Sequence, residues 1–309
     1  MQDKENTEYN FEEIDLIDLL RTLINKKIFI ISFTSVISIL AVIYSLLLPN
    51  IYQSQALLTI VEPQKSIGSN LQRFSGIASF AGISLPGQSD ATTATKALEK
   101  VNSLSFFEES ILPFIFLPDL MAVKSWDPKS NSILYDEDIY DKSNNIWVTD
   151  SSKKPPSVQE SFKAFKGNHF SISKNKNTGF ITLSIKHQSP YVAKDWVELI
   201  VEQLNSYYRK KDKIESEKAI KFLNKQISNT GYAEIKIVIS ELLQEQTQKL
   251  TLIEVNDFYV FDYIDPPAVM EKKSDPKRAT ICILAALFGG FISIIIVIIN
   301  YIRSKIQFF

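Results

Sequence analysis

Histidine is the side chain most often used to move a proton or hold a metal near neutral pH, and this sequence has two, His169 and His187. They bracket a stretch, Phe170-Ser-Ile172-Ser and then Thr178-Gly-Phe-Ile-Thr-Leu-Ser-Ile185, whose alternation predicts a β-hairpin turning through 175–179. The two imidazoles could meet across it, but a zinc site needs more ligands than that. Asp136-Glu137-Asp138 with Asp141 lacks the mid-loop glycine and closing glutamate of an EF-hand loop, so it reads as a solvated acidic loop. Asp262 and Asp265 lie near a strand end with nothing to mark them as the carboxylate pair of a glycosidase. Arg209-Lys210-Lys211 could meet an anionic sugar or lipid, yet such a run on a helix is ordinarily a solvated face. No Gly-rich phosphate loop and no dinucleotide fingerprint is present. No catalytic residue, cofactor or metal is expected.

The elements around these residues explain more. Ile28–Leu48 and Thr280–Ile302 are uncharged and apolar, and each exceeds the roughly 20 residues a helix needs to cross the hydrocarbon core. Two spans put both termini on one side and the middle on the other. Arg21, Lys26 and Lys27 precede the first span and only Lys65 follows it. Lys272, Lys273, Lys277 and Arg278 precede the second, against Arg303 and Lys305 after it. The first span usually sets orientation and long loops translocate regardless of charge, which places both termini in the cytoplasm and the middle in the periplasm. Leu47-Leu48-Pro49-Asn50 offers no small-residue cleavage site, so the first span is expected to stay.

The expected organisation is a cytoplasmic amphipathic segment 1–27, a span 28–48, a periplasmic domain 49–279, a span 280–302 and a cytoplasmic tail 303–309. The one cysteine, Cys282, falls in the second span, so no disulfide is available to the loop domain. A net charge of −1 argues against nucleic acid.

In the first segment, Asn10 is placed to cap a helix carrying Ile14, Ile17, Leu20, Leu23 and Ile24 on one face. Residues 51–61 predict a strand between Pro49 and Pro63. Residues 64–90, rich in glycine and serine, predict mostly loop, 91–111 a helix broken by Pro113, and 113–160 irregular chain.

Ser189-Pro190 should open a long helix, serine capping and proline in its first turn. Asn229-Thr230-Gly231 breaks it, and a second helix over 232–254 should run back antiparallel, with Ile235, Val238, Ile239, Leu242, Gln246 and Leu250 inward and Glu241, Glu245 and Lys249 outward. Residues 258–265 predict the last strand. Because the first and last strands each adjoin a span, they can pair, the hairpin can complete the sheet, and helix 91–111 can cover a face. The fold class is α+β: a membrane-proximal mixed sheet with long protruding antiparallel helices at about 190–255, between two transmembrane helices.

Two further sets of residues are candidates for function. Pro266, Pro267 and Pro276, with Lys277 and Arg278, form a stiff lead back into the membrane. Ala286 and Gly290, and Gly289 and Ser293, place small residues four apart, which lets membrane helices approach closely.

The string from Val260 through Pro266-Pro267-Ala-Val-Met270 to Asp275-Pro276-Lys277-Arg278-Ala279 closely resembles the proline-rich segment by which Wzz-type chain-length determinants, or polysaccharide co-polymerases, return to the membrane. Ile14–Arg21, Pro49 and Tyr52, Ser79–Leu85, Leu117–Trp126, Tyr135–Tyr140, Ser189-Pro190 and Glu245-Gln246 are similar too, in order, over about 10–303. Met270 stands where the family more often has a second proline.

The resemblance implies a non-enzymatic inner-membrane protein that forms a homo-oligomeric ring. Its periplasmic part would tune how many repeat units a polymerase adds to O-antigen lipopolysaccharide or a related glycan. Family members fused to tyrosine kinases carry that domain after the second span, where 303–309 stand here, so no kinase activity is expected of this sequence. The rival readings are an accessory co-polymerase of a capsule or exopolysaccharide exporter and a periplasmic sensor.

Overall fold

The computed structural model describes residues 16–61, 90–148, 154–256 and 258–306. The expected cap at Asn10 and the loop expected over 64–89 lie outside them. Helices α1 (Leu16–Asn25) and α2 (Lys27–Leu47) lead to strand β1 (Tyr52–Ile60). Helix α3 (Asp90–Val101), a helical stretch over 104–114 and helix α4 (Leu117–Met121) come next. Two small ladders follow, β2 (Val123–Asp127) with β3 (Ser132–Tyr135), and β4 (Tyr140–Asp141) with β5 (Ile146–Trp147). Helix α5 (Val158–Ala164) precedes strands β6 (Phe170–Lys174) and β7 (Ile181–His187). The chain ends with α6 (Pro190–Asn229), α7 (Ala233–Val255), β8 (Phe261–Asp265) and α8 (Arg278–Ile306).

These elements form two compact units, 1–49 with 275–309, and 50–274. In the first, α2 and α8 are both long and apolar enough to cross a membrane, and only 11% and 17% of their most apolar windows is buried. A core helix of a soluble domain would be mostly buried; these present Ile, Leu and Phe side chains outward.

The second unit is built on a four-stranded sheet of order β6-β7-β1-β8. Tyr52, Ser54, Ala56 and Leu58 point to the buried face, as the two-residue period of a strand requires. All its ladders are antiparallel, where a mixed sheet was expected. For β6 and β7 the cause is local: the turn over 175–179 is too short for anything but an antiparallel pair. Asn175 accepts there from the Gly179 N–H, and Gly179 takes φ 76°, a conformation glycine adopts freely.

The sheet is covered by α6, not by the 91–111 segment. Ala193, Val197, Ile200 and Leu204 are fully buried at helical spacing in one core with Leu58, Leu183 and Ile185. Burying each of the Val, Ile and Leu side chains contributes roughly 1.5–3 kcal/mol. The expected single helix 91–111 is interrupted at Asn102-Ser103, where Asn102 Nδ2 donates back to Leu98 O and Ser103 Oγ accepts from Phe106 N–H. Such side chains compete with the helical ladder and restart it. Its later part, with Phe106, Phe107 and Ile111, joins the same core beside α6.

The stretch expected to be irregular holds α4, α5 and both small ladders. Their strands are too short to show a period, and turn chemistry shapes them: Asp127 accepts from Lys129 and Ser130, Asp141 from Ser143 and Asn144, and Asn131 and Asn145 adopt positive φ. Helix α5 starts with a capping box of Ser157 and Glu160.

Helix α6 runs 40 residues, about 60 Å at 1.5 Å per residue. Helix α7 returns along it: Lys213 pairs with Glu254 and Asp212 with Lys249 near one end, and Leu223, Val238, Ile239 and Leu242 cluster farther along.

Candidate functional site

In the loop unit, the outgoing proline-rich segment lies along the start of β1. Ser54 Oγ, buried, donates to Ala268 O at 2.9 Å, Lys273 Nζ to Asn50 Oδ1 at 3.0 Å, and Ser274 N–H to Ile51 O at 2.8 Å. Pro267 is buried and Pro266 exposed. In the span unit, Pro276 is half-buried and Lys277 exposed. Arg278 Nε donates to Ser45 O at 3.0 Å and Nη2 to Leu48 O at 3.4 Å. Those carbonyls are at the C-terminal end of α2, which has no further turn to use them, and a cation there also suits the helix dipole.

Gly289 is buried against Ile37 of α2; a Cβ added there would come within 3.2 Å of the isoleucine side chain. Gly290 faces Thr34 at 3.8 Å, Ala286 is half-buried, and Ser293 is fully buried with Oγ donating to Gly290 O. Of the four small residues, Gly289 and Gly290 lie where α8 approaches α2 of the same chain.

The histidines do meet, with ring centroids 5.7 Å apart, and both contact Trp196 of α6, His169 edge-on and His187 at a tilt. His187 Nδ1 accepts from the Ser189 N–H, so Nε2 carries the proton donated to Asp119 O at 2.9 Å. Ser189 opens α6 without the expected side-chain cap bond; its backbone N–H is held by His187 instead. Burial, which disfavours a charged ring, pushes His187 down to about 4, and His169 is lowered by the same cause. Among the described residues no group of three or more His, Cys, Asp or Glu could hold a metal ion. The pair is a neutral, hydrogen-bonded rivet between hairpin, α4 and α6.

Asn205, which the sequence did not flag, is a second rivet. Buried on α6, it accepts at Oδ1 from the Val260 and Phe261 N–H groups at 2.7 and 3.0 Å and donates from Nδ2 to Phe261 O. The available signal was an amide inside the apolar stripe between Leu204 and Tyr208.

These contacts join the hairpin, α4, α6 and β8 within the loop unit, and α2 with α8 within the span unit. Residues 12–109 match the Wzz family, described as chain length determinant proteins. The matched Wzz span takes in α1, α2, β1 and α3 and stops before the proline-rich segment. No curated protein matches the chain. Among solved structures, a full-length bacterial polysaccharide co-polymerase is similar at 15% identity, over 94% of this chain and 99% of that one, with a TM-score of 0.40. A fragment of WzzB, a polysaccharide co-polymerase from Salmonella Typhimurium, is similar at 12% identity, over 73% of this chain and 100% of that one, with a TM-score of 0.31. Both superpositions are loose.

Proposed function

We propose that this chain regulates the length of a surface polysaccharide, O-antigen lipopolysaccharide or a related glycan, as a two-pass inner-membrane protein. The observation that carries this is the Wzz match over 12–109 in a chain with two apolar helices flanking an α+β unit. In this reading both termini are cytoplasmic and 49–279 is periplasmic, in keeping with Arg21, Lys26 and Lys27 before the first span. The chain acts without bond chemistry, as a ring of copies that holds the polymerase and sets its ratio of elongation to termination. Pro266, Pro267, Pro276, Lys277 and Arg278 fix the return to the membrane, and Ala286, Gly289, Gly290 and Ser293 fix the span pair. The test is deletion of the gene followed by gel analysis of the surface polysaccharide. The modal length is expected to be lost and restored by the gene in trans; an unaltered ladder would overturn the reading.

A further inference from the structure

Beside the histidine rivet, α6 and residues 114–119 line an open groove of about 430 Å³, within the volume range of small-ligand sites. Its walls differ in chemistry. One carries Phe114 and Phe116, large rings left 60% and 50% exposed. The Phe116 ring is held edge-on against Tyr135 and Tyr140, at 6.3 and 6.1 Å, so it is a fixed platform. The other wall is α6, where Asp195, Glu198 and Glu202 line the groove over Val192 and Leu199. From Asp195 to Glu202 the carboxylates span ~10 Å of helix. Asp119 completes the rim, one carboxylate oxygen accepting from Tyr135 at 2.6 Å. Lys194 lies beside the groove and is paired with Glu198.

An exposed ring is a surface for the apolar C–H face of a sugar, and carboxylates are acceptors for its hydroxyls. Lys142 sits over the Tyr135 ring on the Asp119 side, and the three α6 carboxylates with Lys194 already paired leave a wall of acceptors that disfavours an anion and favours a ligand that donates. We propose that this groove binds a short stretch of neutral or amino-sugar glycan, Phe114 and Phe116 stacking on pyranose faces while Asp195, Glu198 and Glu202 accept from hydroxyl or ammonium groups. It excludes uronic-acid polymers. This rests on the function proposed above and adds to it a direct contact with the polysaccharide.

The test uses the full chain in nanodiscs, free of sugar detergents, with three probes: chitohexaose, its deacetylated form and oligogalacturonate. Calorimetry and saturation-transfer NMR are expected to show saturable binding of the first two only. Phe116→Ala and Glu198→Gln should each weaken it at least fivefold; Glu198→Gln, exposed and nearly isosteric, serves if Phe116→Ala fails to fold. Absence of saturable binding to the wild type, equal binding of oligogalacturonate, or wild-type affinity in folded Glu198→Gln would each overturn the groove. The two proposals separate cleanly. An unchanged ladder in the deletion strain removes the function whatever the groove binds, whereas a changed ladder without probe binding removes the groove alone.

Discussion

Two buried polar side chains hold the loop unit together, and each is satisfied in a single state. Asn205 spends its amide on the backbone of 260–261. Replacing it by Ala strands the Val260 and Phe261 N–H groups, at a cost of about 1–3 kcal/mol for each buried donor left unpaired. Chemical denaturation of Asn205→Ala should show a loss of about 2–6 kcal/mol; a change within experimental error would mean that water serves those donors. His187 is satisfied only when neutral, because a proton on Nδ1 evicts the Ser189 N–H. Its folded value, about 4, lies below the ordinary 6.5, so the unfolded chain binds more protons between those values. The stability it contributes is full above pH 6.5 and is lost as pH falls toward 4. His169 is the titratable group that acts on it, and it shifts in the same direction. The thermal midpoint should therefore drop between pH 7 and 4.5, and His187→Gln should start lower and fall less steeply.

At the scale of elements, the helical hairpin is less settled than the sheet. Glu245 was expected to face solvent on α7; instead it is 5% exposed and neither carboxylate oxygen has a partner. Helix α7 buries a single stripe, Val238, Ile239, Leu242, Glu245, Gln246 and Ile253, and leaves most of its surface outward; sequence spacing cannot say how far the partner helix overlaps the edge of that stripe. Ser216 of α6 is also buried with its hydroxyl unpaired. Burial raises the Glu245 carboxyl, with Lys249 offsetting part of it. A raised acid penalises the fold once it ionises, so the hairpin loses stability as pH rises through and above the ordinary value of 4.5. Glu245→Gln should raise the midpoint at pH 7.5 and slow hydrogen exchange in 216–245, with little effect at pH 4. A lowered midpoint at pH 7.5 would mean that the carboxylate has a partner in the assembled protein.

For the whole molecule, the proposed topology predicts which reagents reach which residues. Lys176 sits exposed in the hairpin turn of the loop unit. With Cys282 replaced by Ser, Lys176→Cys should react with a membrane-impermeant maleimide from the periplasmic side; reaction only after lysis would reverse the orientation. Much of this level was legible in advance. The two apolar segments, the β1–β8 pairing, the hairpin and the α6–α7 return all follow from composition and period, because a span needs only length and hydrophobicity and a hairpin only alternation and a turn. The small ladders after Pro113 were not legible, since strands of two to five residues carry no period.

What the sequence determined on its own was the sort of most of the longer elements, because that depends on residues close together in the chain. Tertiary structure alone decided what each polar group does. It turned the two histidines into a neutral rivet, gave Asn205 a strand to hold, buried Glu245, and brought Phe116 to face Glu198 across a groove. Those outcomes depend on which distant surface lies opposite, and the energy of a buried hydrogen bond or an unpaired charge is set by that neighbour, not by spacing along the chain.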